Sequence, residues 1–187
     1  MSLANKLSLF RILLIPIFVG CLLYYRAPHE WVRYAALTVF VIGVVTDAVD
    51  GDVARARAES TRLGTILDPL ADKLFLMTAF LCLALIKTLP PPYKLAAWVP
   101  ILVVSRDVII VVGALVIFLV NGTFEIIPSR SGKLTTFAQM VTVICALAGS
   151  AWLRLMLPVM VTLTVLSGIG YIRRGNRLLN GHLTSGG

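Results

Sequence analysis

Charge is scarce in this chain. Of its 187 residues only 14% are Asp, Glu, Lys or Arg, against roughly 25% in a soluble domain, which excludes an ordinary water-exposed globule. Histidine is scarcer still. His29 lies in the loop stretch "YRAPHEWVR" and His182 in the polar tail, neither beside a metal-ligand neighbour, so both read as solvated surface. Cys21, Cys82 and Cys145 sit in separate apolar runs without CxxC or Cys/His spacing. That excludes a thiolate metal site and leaves them as small apolar packing residues. Internal repeats and low-complexity tracts are absent, so repeat architectures are excluded as well.

What is present is apolar length. Hydrophobic residues make up 58% of the chain and the mean hydropathy is +0.91. Six stretches, at 8–25, 31–50, 64–87, 95–120, 134–153 and 157–172, approach or exceed the about 20 residues needed to cross a hydrocarbon core. The expected fold is therefore an all-α integral membrane protein of six transmembrane helices, with a short N-terminal interfacial helical segment. One membrane domain over 1–187 leaves little chain for a soluble one. "KTLPPPYK" cannot continue a helix and marks the connection between the third and fourth spans. The last two spans are separated only by "WLRLMLP", which predicts a tight turn near Arg154 and Pro158. The first run also resembles a signal peptide, with "FVGC" as a weak lipoprotein-type site, but Arg11 interrupts its start and five further spans follow.

The net charge of +8 is distributed in a way that argues against nucleic acid. One side of the six-helix arrangement holds Lys6, Arg11, Arg55, Arg57, Arg62, Arg130, Lys133, Arg173, Arg174 and Arg177; the other holds Arg26, Arg33, Lys87, Lys94 and Arg154. Lys73 and Arg106 fall within helices. The positive-inside rule then puts both termini in the cytoplasm, with membrane lipids and phosphorylated substrates as partners for the basic side chains.

Acids concentrate where they are costly. Asp47 and Asp50, at i and i+3, share one helix face; Asp68 and Asp72, at i and i+4, share another. Asp52 is turned about 200° from Asp50 and points elsewhere. A carboxylate at a membrane helix centre costs on the order of 3 kcal/mol, and four converging ones repel each other. Hard divalent cations such as Mg²⁺ bind through carboxylates together with substrate phosphates. Gly51 and Gly64 allow close approach by a ligand, and Arg55 is available to a phosphate. Asn5, Ser8 and Arg11, three residues apart, share a face as well. They read equally as an N-cap with a snorkelling arginine or as a polar strip facing a headgroup or nucleotide.

Asp47-x₂-Asp50-Gly51-x₂-Ala54-Arg55-x₈-Gly64-x₃-Asp68-x₃-Asp72 reproduces, at eight positions across 26 residues, the signature of the CDP-alcohol phosphatidyltransferases. Length and six-span layout also resemble the smaller members of that family. The resemblance implies transfer of a phosphatidyl group from CDP-diacylglycerol to an alcohol, with release of CMP. It implies two divalent cations, Mg²⁺ or Mn²⁺, on Asp47, Asp50, Asp68 and Asp72, with Asp72 as general base. It assigns Gly51, Ala54, Arg55 and Gly64 to the CDP pocket. Asn5, Ser8 and Arg11 resemble the family's Asn-x₂-Thr/Ser-x₂-Arg and join that pocket. A homodimer is the family expectation, and the charge distribution above places the active site on the cytoplasmic side of what is expected to be a bacterial inner (cytoplasmic) membrane.

The acceptor is read from two further stretches. "GKLTTFAQ", residues 132–139, resembles the Gly-Lys-x₂-Thr-x₂-Gln of phosphatidylglycerophosphate synthases, which favours glycerol 3-phosphate. "SRDVIIVVGA" departs from them: Arg106 and Asp107 are present, but Ala114 stands where many glycerophosphate-using members carry a second arginine. That stretch resembles cardiolipin synthases, whose acceptor is phosphatidylglycerol. Arg106, Asp107, Arg130 and Lys133 are the candidate acceptor residues, with simple ion pairing the alternative for the first two and snorkelling for Lys133. An ion-coupled transporter would spread its charges over several midplanes, and intramembrane prenyltransferases are longer chains with widely separated Asp motifs; neither matches this clustering.

Overall fold

The computed structural model describes the backbone of residues 3–26, 29–57, 62–121 and 130–183, and the side chains of 7–26, 29–47, 71–91, 93–113 and 131–173. The chain builds α1 (Leu3–Leu23), α2 (Glu30–Arg57), α3 (Arg62–Leu85), α4 (Trp98–Asn121), α5 (Arg130–Ala148) and α6 (Leu153–Leu183), with a 3₁₀ turn at Pro91–Tyr93 before α4. No strand occurs among the described residues. The expected interfacial segment at the N-terminus is the first turns of α1 rather than an element of its own.

Apolar sequence favours helices because every backbone donor and acceptor is satisfied within the segment. The polar residues in these helices follow the same logic. The hydroxyls of Thr38, Thr46, Thr142 and Thr164 donate to the carbonyls of Tyr34, Ile42, Ala138 and Met160, each one turn earlier. Between α3 and α4 the prolines stop the helix, and the Leu95 amide donates to the Leu83 carbonyl at 3.0 Å, folding the connection back onto the end of α3. The fourth helix consequently begins at Trp98, three residues later than the apolar run itself.

The turn before the last helix is not near Arg154 and Pro158; both lie inside α6. The chain reverses at Gly149, whose φ is +65°. Gly149 N–H donates to the Ala146 carbonyl at 3.1 Å and Ser150 N–H to the Cys145 carbonyl at 3.0 Å. These are the paired 5→2 and 6→1 bonds of a Schellman cap, which needs a left-handed residue at its pivot. Glycine is that residue, and proline is tolerated inside α6 where neighbouring helices compensate for its missing donor.

The six helices form two halves. In the first, α1 packs along both α2 and α3; in the second, α6 packs along both α4 and α5. The halves meet mainly through α2 against α5, and more thinly through α3 against α4 and α5. Polarity is distributed inside out relative to a water-soluble bundle. Arg106, Thr135, Gln139, Thr142, Thr164 and Ser167 are buried, while Trp98, Ile101, Val111, Leu155, Leu166 and Ile172 face outward. Lipid makes this stable, since apolar surface gains nothing by hiding from it and polar groups must find partners inside. Among the described residues, Ser131–Ala148 and Leu153–Arg173 are each long and apolar enough to cross a membrane.

A clasp closes one end of the bundle. Arg33, counted above among the basic residues of one membrane side, is buried. It donates to Glu30 Oε2 at 2.8 Å and to the Leu147 carbonyl at the end of α5, with its guanidinium 4.3 Å from the centre of the Tyr93 ring. Tyr25 donates to the other Glu30 oxygen at 2.9 Å. Hydrogen bonds from Tyr25 and from Arg33 hold the Glu30 carboxyl below its ordinary pKa.

Candidate active site

The site stands on an aromatic floor in the first half. Phe18, Phe40 and Phe75, one each from α1, α2 and α3, meet with ring centres 5.3 to 5.9 Å apart. Gly43 lets α2 come up against the Phe75 ring; a Cβ there would lie against Cε1 and within 3.1 Å of Cζ. Asp47 lies one turn beyond Gly43, and Asp72 is roughly 5 Å along α3 from Phe75. The carboxylates therefore rise directly from a dry, packed base.

Arg11 decides how that region is charged. It is 1% exposed, and its Nη1 lies 3.0 Å from Asp47 Oδ1. A snorkelling arginine would reach outward to water; this one reaches across the α1–α2 contact to an acid. Ser8, one turn away, is buried beside it on the same face of α1. Asp47 is about one-third exposed. Asp72, on α3, lies in the electrostatic field of Asp47 and of Arg11, Lys73 and Asp107. Two carboxylates in mutual range over an apolar floor form an oxygen-donor environment for a hard cation.

The second half contributes through α4. Asp107 receives Lys73 from α3, with Nζ 2.8 Å from both carboxylate oxygens, and Arg106 Nη1 at 2.7 Å from Oδ1. Arg106 is buried; its Nη2 donates to Ser167 Oγ on α6 at 2.9 Å, and its Cζ is 5.8 Å from the Tyr171 ring centre. Arg106 and Asp107 thus do form the ion pair considered from sequence, but in a network that joins three helices beside Asp72. Lys73, Ser167 and Tyr171 were not among the site residues read from sequence. The signal for Lys73 was available: a lysine inside an apolar span requires an intramembrane partner, and Asp107 was the acid in the next span.

The backbone puts Asp50, Gly51, Ala54 and Arg55 on α2, Gly64 and Asp68 on α3, and Asn5 on α1. Their side chains, with those of Ala114 and Arg130, lie outside the described residues. Asp47 and Asp72 therefore represent the acidic cluster here, and among the described residues no group of three metal-ligand side chains forms. Lys133 is exposed on the first turn of α5, and among the described residues no contact joins it to the Lys73–Asp107 pair. Gln139, at the end of the "GKLTTFAQ" stretch, is fully buried with no partner for its amide; nothing in the structure explains it.

Comparison with known proteins gives the family. The family model for CDP-alcohol phosphatidyltransferase matches residues 1–167. A Mycobacterium tuberculosis protein named probable phosphatidylglycerophosphate synthase is 31% identical over 186 residues, covering 96% of this chain and 84% of the relative. Proteins named CDP-diacylglycerol–glycerol-3-phosphate 3-phosphatidyltransferase are similar as well. The one from Bacillus subtilis is 36% identical over 155 residues, covering 76% of this chain and 74% of the relative. That from Escherichia coli K12 is 35% identical over 154 residues, covering 81% and 77%. The relatives are bacterial, and with the outward apolar faces of the helices they mark a membrane protein. The chain belongs to the CDP-alcohol phosphatidyltransferase family, enzymes of phospholipid synthesis.

Proposed function

We propose that this chain transfers the phosphatidyl group of CDP-diacylglycerol to glycerol 3-phosphate, forming phosphatidylglycerophosphate and releasing CMP. The observation that carries this reading is the uninterrupted Asp47–Asp72 signature on two helices that pack side by side against α1, with Asp72 in range of Asp47. The names of the Bacillus subtilis and Escherichia coli relatives support the acceptor.

The chemistry needs three things from the protein: a base, a grip on the nucleotide diphosphate, and exclusion of water. Asp72 takes the proton from the acceptor hydroxyl, whose oxygen bonds to the phosphatidyl phosphorus as the bond from that phosphorus to CMP breaks. CMP leaves with the electron pair. Asp47, Asp50, Asp68 and Asp72 would hold two divalent cations, Mg²⁺ or Mn²⁺, which supply charge neutralisation for the diphosphate. Arg11 keeps Asp47 in place, and Gly51, Ala54, Arg55, Gly64, Asn5 and Ser8 line the CDP site. Arg106, Asp107, Arg130 and Lys133 face the acceptor. The phenylalanine floor excludes water beneath the reacting groups, which suppresses hydrolysis of the donor.

The whole of 1–187 serves as one domain of six spans. It works as a homodimer in the bacterial cytoplasmic membrane, with its termini and active site toward the cytoplasm. Phosphatidylglycerol is the second acceptor to test, because Ala114 in "SRDVIIVVGA" removes a cation that a phosphomonoester dianion would use.

Purified protein given CDP-diacylglycerol and Mg²⁺ or Mn²⁺ should release CMP on addition of glycerol 3-phosphate, and chelation should stop it. Release with phosphatidylglycerol alone would move the chain to the second reading. Silence with glycerol 3-phosphate, phosphatidylglycerol, inositol phosphate and serine would refute both.

A further inference from the structure

The end of the bundle away from the aspartates carries cations that no acid answers. Along α3, Asp72 and Leu85 are separated by 13 residues, or roughly 20 Å of helix. At the far end, segments 84–100 and 148–160 hold Lys87, Lys94 and Arg154 and not one Asp or Glu. All three basic residues are exposed, and among the described residues no ion pair takes any of them. Glu30, the acid at the start of α2, is already held by Tyr25 and Arg33.

Backbone geometry gathers the three charges. The bond from the Leu95 amide to the Leu83 carbonyl closes the α3–α4 connection into a loop, with Lys87 and Lys94 on its two limbs. Tyr93, beside Lys94, lays its ring against Gly149, the pivot of the α5–α6 turn. That turn leads directly into Trp152 and Arg154. Two connections therefore meet at Tyr93 and present Lys87, Lys94 and Arg154 from one corner of the bundle.

The corner also has an apolar rim. Trp98 opens α4 and Trp152 directly precedes α6; they are 51% and 64% exposed. An indole, apolar in its body and polar at its N–H, is at home where lipid chains meet headgroups. Cations with indoles beside them match a molecule with an anionic head and apolar tails. A free phosphate ion would use the first and gain nothing from the second. We propose that Lys87, Lys94 and Arg154, flanked by Trp98 and Trp152, form a docking corner for the headgroup phosphate of an anionic phospholipid in the leaflet opposite the aspartates. This goes beyond the transferase reading and stands independently of it, since the corner is remote from donor and acceptor alike. A lipid bound there ties the α3–α4 connection to the α5–α6 turn and stabilises the folded chain.

The test uses the full chain in neutral detergent. Phosphatidylserine is the anionic probe, because neither acceptor reading employs it, and phosphatidylcholine is the zwitterionic reference. A ligand that binds only the folded state raises the melting temperature with its concentration. Phosphatidylserine should do so at concentrations where phosphatidylcholine has no effect; equal responses to the two overturn the proposal. Lys87→Gln, Lys94→Gln and Arg154→Gln should each raise the half-saturating concentration about fivefold, and the triple variant about 100-fold. Arg173→Gln, exposed at the other end of the α6 span, should respond as the parent does. A parental response from the triple variant overturns the proposal. So does a loss in Arg173→Gln as large as in the single corner variants, which would reduce the effect to overall charge. Glycerophosphoserine, the head without its chains, should be weaker by about tenfold or more; equal potency would make the corner a soluble-anion site and overturn the lipid assignment. If the triple variant does not fold, the three single variants decide by the same shift.

Fluorescence supplies a second readout. In a Trp31→Phe chain, Trp98 and Trp152 are the remaining tryptophans. Phosphatidylserine with brominated acyl chains should quench them more than brominated phosphatidylcholine at the same mole fraction. The triple variant should lose that excess, and an excess that survives in it overturns the docking corner.

Discussion

Replacing Gly149 by alanine tests how the second half of the bundle is closed. Two separate costs meet at this position. The backbone sits at φ +65°, a left-handed conformation that costs a residue with a Cβ roughly 1–2 kcal/mol. The new methyl would also press on the Tyr93 ring, with Cδ1 at 3.2 Å and Arg33 Nη1 at 3.4 Å. Moving that ring off Arg33 forfeits a cation–π contact worth about 0.5–2 kcal/mol. Together these predict a loss of roughly 2–3 kcal/mol, or about 5–10 °C in melting temperature for a chain of this size. Melting in detergent can be followed with a thiol-reactive dye in a Cys21→Ser/Cys145→Ser background, which leaves the buried Cys82 as the reporter of unfolding. Gly20→Ala is the control, since its added methyl meets nothing within 4 Å in a helix. In a Tyr93→Ala background the alanine should cost only the backbone share, about 1–2 kcal/mol. Equal losses in both backgrounds, or no loss at all, would refute this account of the turn. Activity measured well below the melting temperature should be unchanged, because the turn is at the other end of α5 from the start of the helix.

Gly43→Val should wedge α2 away from Phe75 and destabilise by about 1–3 kcal/mol; a melting curve that does not move would show that the aromatic floor is softer than its packing implies. Asp72→Asn should abolish CMP release while leaving CDP-diacylglycerol binding largely intact, and a variant with parental turnover would remove Asp72 from the role of base. Asp47→Asn and Asp68→Asn should each lower the rate by about 10²-fold or more, checked by the same assay with Mg²⁺ in excess. Glu30 carries a pH signature: its folded carboxyl titrates below the ordinary 4.5 because Tyr25 and Arg33 hydrogen-bond to the charged form. Its contribution is complete above the unfolded value and disappears as pH falls through the folded one. Glu30→Gln should therefore flatten the acid-side decline in melting temperature below about pH 4.5, and an unchanged decline would exclude this carboxylate as its cause.

Helix number and order were legible because long apolar runs admit few alternatives in lipid. That Asp47 and Asp50 lie on one helix and Asp68 and Asp72 on the next was legible from the apolar runs that carry them. The turn at Gly149 was not, since "AGSAW" is apolar enough to extend a span and the pivot shows only as a backbone angle. Arg33 illustrates a second limit. A basic residue at a span's edge suggests a snorkelling side chain, and only three-dimensional contact reveals an open carbonyl at the end of α5 and two aromatic rings ready to receive it. That Lys73 needs an acidic partner was legible, but its contact with Asp107 also depends on α3 and α4 lying side by side at matching depth, which spacing along the chain does not encode. Arg11 lay between: its face was readable, but its destination at Asp47 was not.

The thin contact between α1–α3 and α4–α6 has a consequence for how such a chain diversifies. The signature aspartates all belong to α2 and α3, which with α1 also carry the phenylalanine floor. Residues on α4–α6 can be exchanged where they stay outside the shared core, which Val99, Val103, Val143 and Met160 enter. New acceptor preferences are then open to substitution in the second half alone, as one lock body accepts different keyways. The Lys73–Asp107 bridge is where such drift would meet its limit, since a change on α4 there is felt one residue from Asp72.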